Sequence, residues 1–98
     1  MGKSYAHPLI VLIALPNEIG TKRVGIAAGR SVGNAVLRNR AKRRLRAAMR
    51  GFLELVPDGW DLVILARRPI VDAEFRQIEA ALHMLLRRAG LLVKSNDN

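Results

Sequence analysis

Between Glu18 and Glu54 the chain carries ten basic side chains and no carboxylate. They are Lys22, Arg23, Arg30, Arg38, Arg40, Lys42, Arg43, Arg44, Arg46 and Arg50. Unpaired like charges repel, so such a window folds only if its cations spread over solvent-facing positions. The segment from Ala35 to about Leu55 meets that demand as a helix, with Asn34 as its N-cap. At about 100° per residue, Leu37, Ala41, Leu45, Ala48, Met49 and Phe52 gather within one third of the circumference. Asn39, Arg43, Arg46 and Arg50 gather opposite, at i, i+4, i+7 and i+11. Arg40 and Arg44 flank them on one side and Lys42 on the other. The segment therefore has an apolar seam for a core and a wide cationic face for something outside it.

Outside the window the charges balance. The whole chain has 17 Lys and Arg against 8 Asp and Glu, a formal net charge of +9. The window contributes +10 and the rest, with seven basic and eight acidic residues, −1. A length of 98 residues allows one small domain. Half the residues are apolar, which excludes a disordered polycation. The absence of cysteine excludes a disulfide framework, a zinc knuckle and a thiol nucleophile. The apolar run Leu9–Leu15 is seven residues between Pro8 and Pro16, whereas a membrane span needs about 20. No signal-peptide cleavage pattern follows it. A soluble cytoplasmic protein with no membrane partner is expected.

The coarse pattern is β-β-α-β-α, an α+β fold with a small sheet packed against helices. Leu9–Leu15 reads as a strand buried on both faces. Pro16–Thr21 reads as a turn, and Lys22–Gly29 as a second strand pairing antiparallel with the first because the connection is short. After the helix, Pro57-Asp58-Gly59 marks a turn, and Trp60–Ala66 a third strand ended by Arg67-Arg68-Pro69. Asp72 is expected to cap a last helix, Ala73–Ala89, with Gly90 as its stop. Leu91–Asn98 reads as a frayed tail. Residues 1–92 are expected to form a single domain and 93–98 a disordered tail.

The cationic face is the strongest functional signal. A merely solvated helix face interleaves both signs at i, i+4, and this one has no carboxylate to interleave. Phosphates would supply the missing counter-charge, and Arg, which dominates the run, suits bidentate phosphate contacts. A basic amphipathic helix can also lie on a membrane, but the small apolar residues Ala41, Leu45 and Ala48 suit a sheet better. No short helix precedes the basic one as a helix-turn-helix requires. Phe52 and Phe75 fall on core-facing positions, so no aromatic base-stacking platform is available. Recognition is then mostly of backbone and shape. His7 and His83 stand alone, Asp58 and Asp61 fit turn roles, and Asp72 and Glu74 fit a helix start. Gly20, Gly25, Gly29 and Gly33 lack the Gly-Lys-Ser/Thr of a phosphate loop. No catalytic or metal-binding residue is expected.

The run Gly33-Asn34-Ala35-Val36-Leu37-Arg38-Asn39-Arg40-Ala41-Lys42-Arg43-Arg44-Leu45-Arg46 closely resembles the signature of the bacterial ribonuclease P protein component. Arg23-Val24-Gly25-Ile26 before it, and Asp61-Leu62-Val63-Ile64-Leu65-Ala66-Arg67-Arg68-Pro69 after it, agree. The resemblance covers roughly Gly2 to Leu92. It implies a fold shared with a ribosomal protein domain, α-β-β-β-α-β-α, with a left-handed β-α-β crossover around the Arg-Asn-Arg helix. It implies a protein subunit that binds the catalytic ribonuclease P RNA and assists removal of the 5′ leader from precursor tRNA, contacting the leader in a cleft on the sheet. The chemistry would be done on RNA with magnesium ions (Mg2+) held there, and no cofactor bound by the protein alone. Asn34, Arg38, Asn39, Arg40, Lys42, Arg43 and Arg46 match the RNA-facing signature, and Arg30, Arg44, Arg50, Arg67 and Arg68 are expected to extend it. The family opens with a helix carrying Phe and Arg; this chain begins where that helix has ended, so a member lacking it is expected. Leu9–Leu15 is wholly aliphatic where the family often places an aromatic. The alternative function is a structural RNA- or ribosome-binding module with no processing role.

Overall fold

The computed structural model describes residues 2–92; the tail expected over 93–98 lies outside the described residues. Four strands form one sheet: β1 (Lys3–Ala6), β2 (Ile10–Pro16), β3 (Arg23–Ala28) and β4 (Trp60–Ala66). Two helices, α1 (Ala35–Arg50) and α2 (Phe75–Arg88), cover one face of it. Short 3-10 turns lie at Arg30–Val32, Leu53–Leu55 and Arg68–Asp72. The α+β class and the helices-on-sheet layering are as the sequence predicts.

The sheet order is β1-β2-β4-β3, which corrects two expectations. First, the polar start of the chain forms a strand, so the order within this chain is β-β-β-α-β-α. β1 pairs antiparallel with β2, from Lys3 opposite Ala14 to Ala6 opposite Val11. Its four residues are too few and too exposed to show a period. The hairpin closes through His7: the Leu9 N–H donates to Nδ1 of its ring at 3.0 Å, and the His7 N–H donates to the Ile10 carbonyl at 2.9 Å.

Second, β2 and β3 run in opposite directions but are not neighbours. β4 lies between them, antiparallel to β2 and parallel to β3. The link between β2 and β3 steps over the end of β4 and is tied to it: the Asn17 N–H donates to the Gly59 carbonyl and the Gly59 N–H to the Thr21 carbonyl. Two strand spacings are about 10 Å, well within reach of the link. The two strands with the longest apolar runs, β2 and β4, take the two places where both edges are paired. The parallel β3–β4 pair makes α1 the helix of a β-α-β crossover.

Alternation assigns the two faces of the sheet. Ile10, Leu12 and Ala14 of β2 and Leu62, Ile64 and Ala66 of β4 are buried under the helices. Val11, Ile13, Val63 and Leu65 point to the other face and are half-buried, so β2 is not buried equally on both sides. From the helices, Ala41, Leu45, Ala48 and Met49 meet Ile78, Ala81, Leu82, Leu85 and Leu86 over this core. Among the described residues no polar or charged side chain is buried.

Both helices differ from expectation at an end. α1 stops at Arg50, with Gly51 as its C-cap, rather than at Leu55. The chain must turn there to bury Val56. The Lys22 ammonium holds that turn, donating to the carbonyls of Leu53 and Val56 at 2.6 and 2.7 Å. α2 starts at Phe75 under a Glu74–Gln77 capping box rather than at an Asp72 cap. Asp72 is instead held in the 3-10 turn that buries Ile70. This shift leaves Phe75 40% exposed. The C-terminal end of α2 is as expected: Gly90 has φ +73°. The Leu91 N–H donates to the Leu86 carbonyl and the Gly90 N–H to the Arg87 carbonyl, a Schellman closure that satisfies two otherwise free carbonyls. Leu91 is buried by it and is no part of a tail.

Candidate nucleic-acid interface

The site is α1 and what flanks it. Gly33 starts the helix with φ +143°, a left-handed-side value that L residues rarely adopt. A Cβ there would lie 2.6 Å from Cδ1 of Leu37. Asn34 caps the helix, its Oδ1 accepting from the Leu37 N–H at 3.0 Å. The first turn holds no carboxylate, so the helix N-terminus adds its partial positive charge to the side chains.

Asn39, Arg40, Arg43, Arg46 and Arg50 are all exposed. From Asn39 to Arg50 the stripe runs about 16 Å along the helix. Two ion pairs occur among the described residues, Arg23–Asp61 at 2.6 Å and Arg76–Glu74 at 3.0 Å, and neither involves α1. The guanidiniums of the stripe thus face solvent with no internal counter-charge. Asp61 carries the denser network of the two pairs. It accepts two hydrogen bonds from Arg23 and one from Asn17, and these hold its carboxyl below the usual carboxylate range, the Arg23 bonds foremost. Arg23 is raised in turn by the same hydrogen bond.

Three predicted residues are engaged inside the protein. Arg44 is half-buried, and its guanidinium donates to the carbonyls of Ile70 and Ala73, joining α1 to the turn before α2. Burial, then repulsion from Arg40, pushes its pKa down. Arg38 points away from the stripe and donates back to the Gly33 carbonyl at 2.7 Å. Arg67 donates to the His7 carbonyl at 3.2 Å, beside the β1–β2 hairpin. Lys42 is half-buried at the side of the stripe. Arg68 is exposed and shares a hollow with Gly33 and Leu37 at the start of α1, and Arg30 is exposed in the neighbouring turn. Arg30 and Arg68 therefore extend the cationic surface at the N-terminal end of α1.

One residue of this surface was not among those predicted. Val36 is 73% exposed and lies one turn before Arg40, at the N-terminal end of the cationic face. The signal was in the sequence: at about 100° per residue Val36 falls between Arg40 and Arg43. An exposed apolar side chain there offers a packing surface beside the cationic stripe. Among the described residues no helix is long and apolar enough to cross a membrane, and no three His, Asp or Glu side chains group as metal ligands.

Comparison with known proteins identifies the family. The Ribonuclease P family model matches residues 1–90. The ribonuclease P protein component of Symbiobacterium thermophilum is 45% identical over 92 residues, which span 93% of this chain and 80% of that protein. That of Pelotomaculum thermopropionicum is 44% identical over 90 residues, 92% of this chain and 80% of the relative. Among solved structures, the RNase P protein of Staphylococcus aureus superposes with a TM-score of 0.82 at 33% identity, covering 93% of this chain and 84% of that one. The Thermotoga maritima RNase P protein gives 0.76 at 28% identity, with 88% and 83% covered. A model match over nearly the whole chain, on a fold that presents an unpaired arginine stripe, places this chain in the ribonuclease P protein family.

Proposed function

We propose that this chain binds ribonuclease P RNA through the cationic face of α1 and helps that RNA remove the 5′ leader from precursor tRNA in the cytoplasm. The observation that carries the reading is the stripe itself. Asn39, Arg40, Arg43, Arg46 and Arg50 are exposed on one helix face with no carboxylate among them, the arrangement that phosphates complete. Arg30, Arg68 and the N-terminal end of α1 lengthen it, and Asn34 and Arg38 set that end in place. Arg44 shapes the neighbouring turn rather than presenting its whole fork. The leader would lie on the sheet face opposite the helices, where Val11, Ile13, Val63 and Leu65 form a half-open apolar floor. Magnesium ions held by the RNA supply the Lewis-acid chemistry; the protein contributes charge and position.

Reconstitution tests the reading. The chain is mixed with a bacterial ribonuclease P RNA and precursor tRNA at low magnesium, and leader release is followed. Stimulated cleavage is expected. Tight RNA binding with no stimulation at any protein concentration would assign the chain to a structural RNA-binding role instead.

A further inference from the structure

Beside the cationic stripe, the C-terminal half of α1 overhangs the free edge of the sheet and leaves a groove of about 460 Å³. Val24 and Ile26 of β3 form one wall, Met49 and Leu53 the other, and the guanidiniums of Arg46 and Arg50 line the groove with them. We propose that this groove holds one unpaired nucleotide of a bound RNA, its base between the apolar walls and its phosphate on Arg46 and Arg50. The proposal rests on the assignment of α1 to RNA and adds to it a place where a base, rather than backbone alone, is bound.

Four observations carry it. The walls are apolar on both sides, which suits the two faces of a flat base. None of the lining residues is acidic, and both arginines lack a carboxylate partner among the described residues. Arg46 belongs to the cationic stripe as well, so a strand following the stripe is led to the groove mouth. Finally, among the described residues β3 pairs only with β4, so backbone N–H and C=O groups on its outer side can meet the polar edge of a base. The groove is also held in shape: Lys22 fixes the turn carrying Leu53 through the Leu53 and Val56 carbonyls.

A free strand edge is also a place for an added peptide strand. The charges favour the nucleotide. An acidic strand would alternate its side chains to both faces of the sheet, but the free guanidiniums lie on the helix side only. On the other face Arg23 is already paired with Asp61. A second copy of this chain is disfavoured by its own charge of +9.

Methyl NMR of the full chain, titrated with the four nucleoside 5′-monophosphates and with ribose 5-phosphate, tests the groove directly. At least one nucleotide should shift the Val24, Ile26, Met49 and Leu53 methyls saturably, and ribose 5-phosphate should shift none. Leu53→Trp fills the groove and keeps both guanidiniums. Checked as folded by its methyl spectrum, it should lose those shifts and bind ribonuclease P RNA about tenfold more weakly at an unchanged salt slope. Methyls unmoved by every nucleotide would overturn the proposal, as would a folded Leu53→Trp that binds RNA like the parent. So would a Glu-rich peptide shifting the β3 amides where nucleotides do not. Should the parent fail to bind ribonuclease P RNA at all, the reading of α1 falls, while the nucleotide titration still decides the groove.

Discussion

Two arginines two positions apart on α1 do opposite work. Arg46 is exposed and makes no contact with a protein acceptor among the described hydrogen bonds. Arg44 is half-buried and donates to the Ile70 and Ala73 carbonyls. Arg46→Ala should leave the melting temperature unchanged and lower the slope of log K against log salt for ribonuclease P RNA by about one phosphate contact. Arg44→Ala should lower stability by about 1–3 kcal/mol, since a charged donor leaves two partly buried carbonyls, and should affect RNA binding less. Thermal melts and salt-dependent binding on the same two variants check both outcomes. Reversed behaviour would mean that Arg44 is the RNA contact. The spacing of arginines sets Arg46 opposite the apolar seam and Arg44 on its flank, but it could not show that Arg44 is engaged. Both sit within the same signature, and only the packing of the Arg68–Asp72 turn against α1 shows which guanidinium is engaged.

The start of α1 and the start of β4 are two element boundaries held by identifiable side chains. Gly33 combines φ +143° with a site where a Cβ would press on the Leu37 side chain. Gly33→Ala should therefore cost about 1–3 kcal/mol, measured by denaturant unfolding, and Asn34→Ala about 1 kcal/mol through its lost cap. A Gly33→Ala as stable as the parent would show that the helix start can relax. At the other end of the sheet, Asp61 joins β4, β3 and the β2–β3 link through Arg23 and Asn17. Its folded pKa lies below the ordinary value, so the contribution is fully present above pH about 4 and is lost as pH falls through the folded pKa. Acid unfolding of Asp61→Asn should show a smaller loss of stability below that pH than the parent. A parallel decline in both would deny the carboxylate this role. Asn34 as a cap and the seam of α1 were legible because capping and period are local. The cap of α2 was not: Asp72 and Glu74 both have capping chemistry, and the burial of Ile70 decides between them.

For the whole molecule, the charge of +9 without RNA is a cost to folding. Raising salt from about 0.01 to 0.15 M, which shortens the screening length from about 30 to 8 Å, should raise the melting temperature of the free protein. Bound to RNA, the same salt change should lower it, because the phosphates are then released. Calorimetry of the free and bound forms checks the sign, and a free protein indifferent to salt would mean that the stripe is already screened. The sequence by itself determined the elements whose period spans several turns or residues. It also determined the one-sided charge of α1, because these follow from residue type and spacing alone, and its signature run carried the resemblance to the family. Tertiary structure decided what depends on neighbours distant in the chain. It set the insertion of β4 between β2 and β3 and the pairing of the short β1. It decided which of the signature's arginines remain free. It also formed the groove where α1 overhangs β3, since each of these is settled by which surfaces compete for burial once the chain is closed.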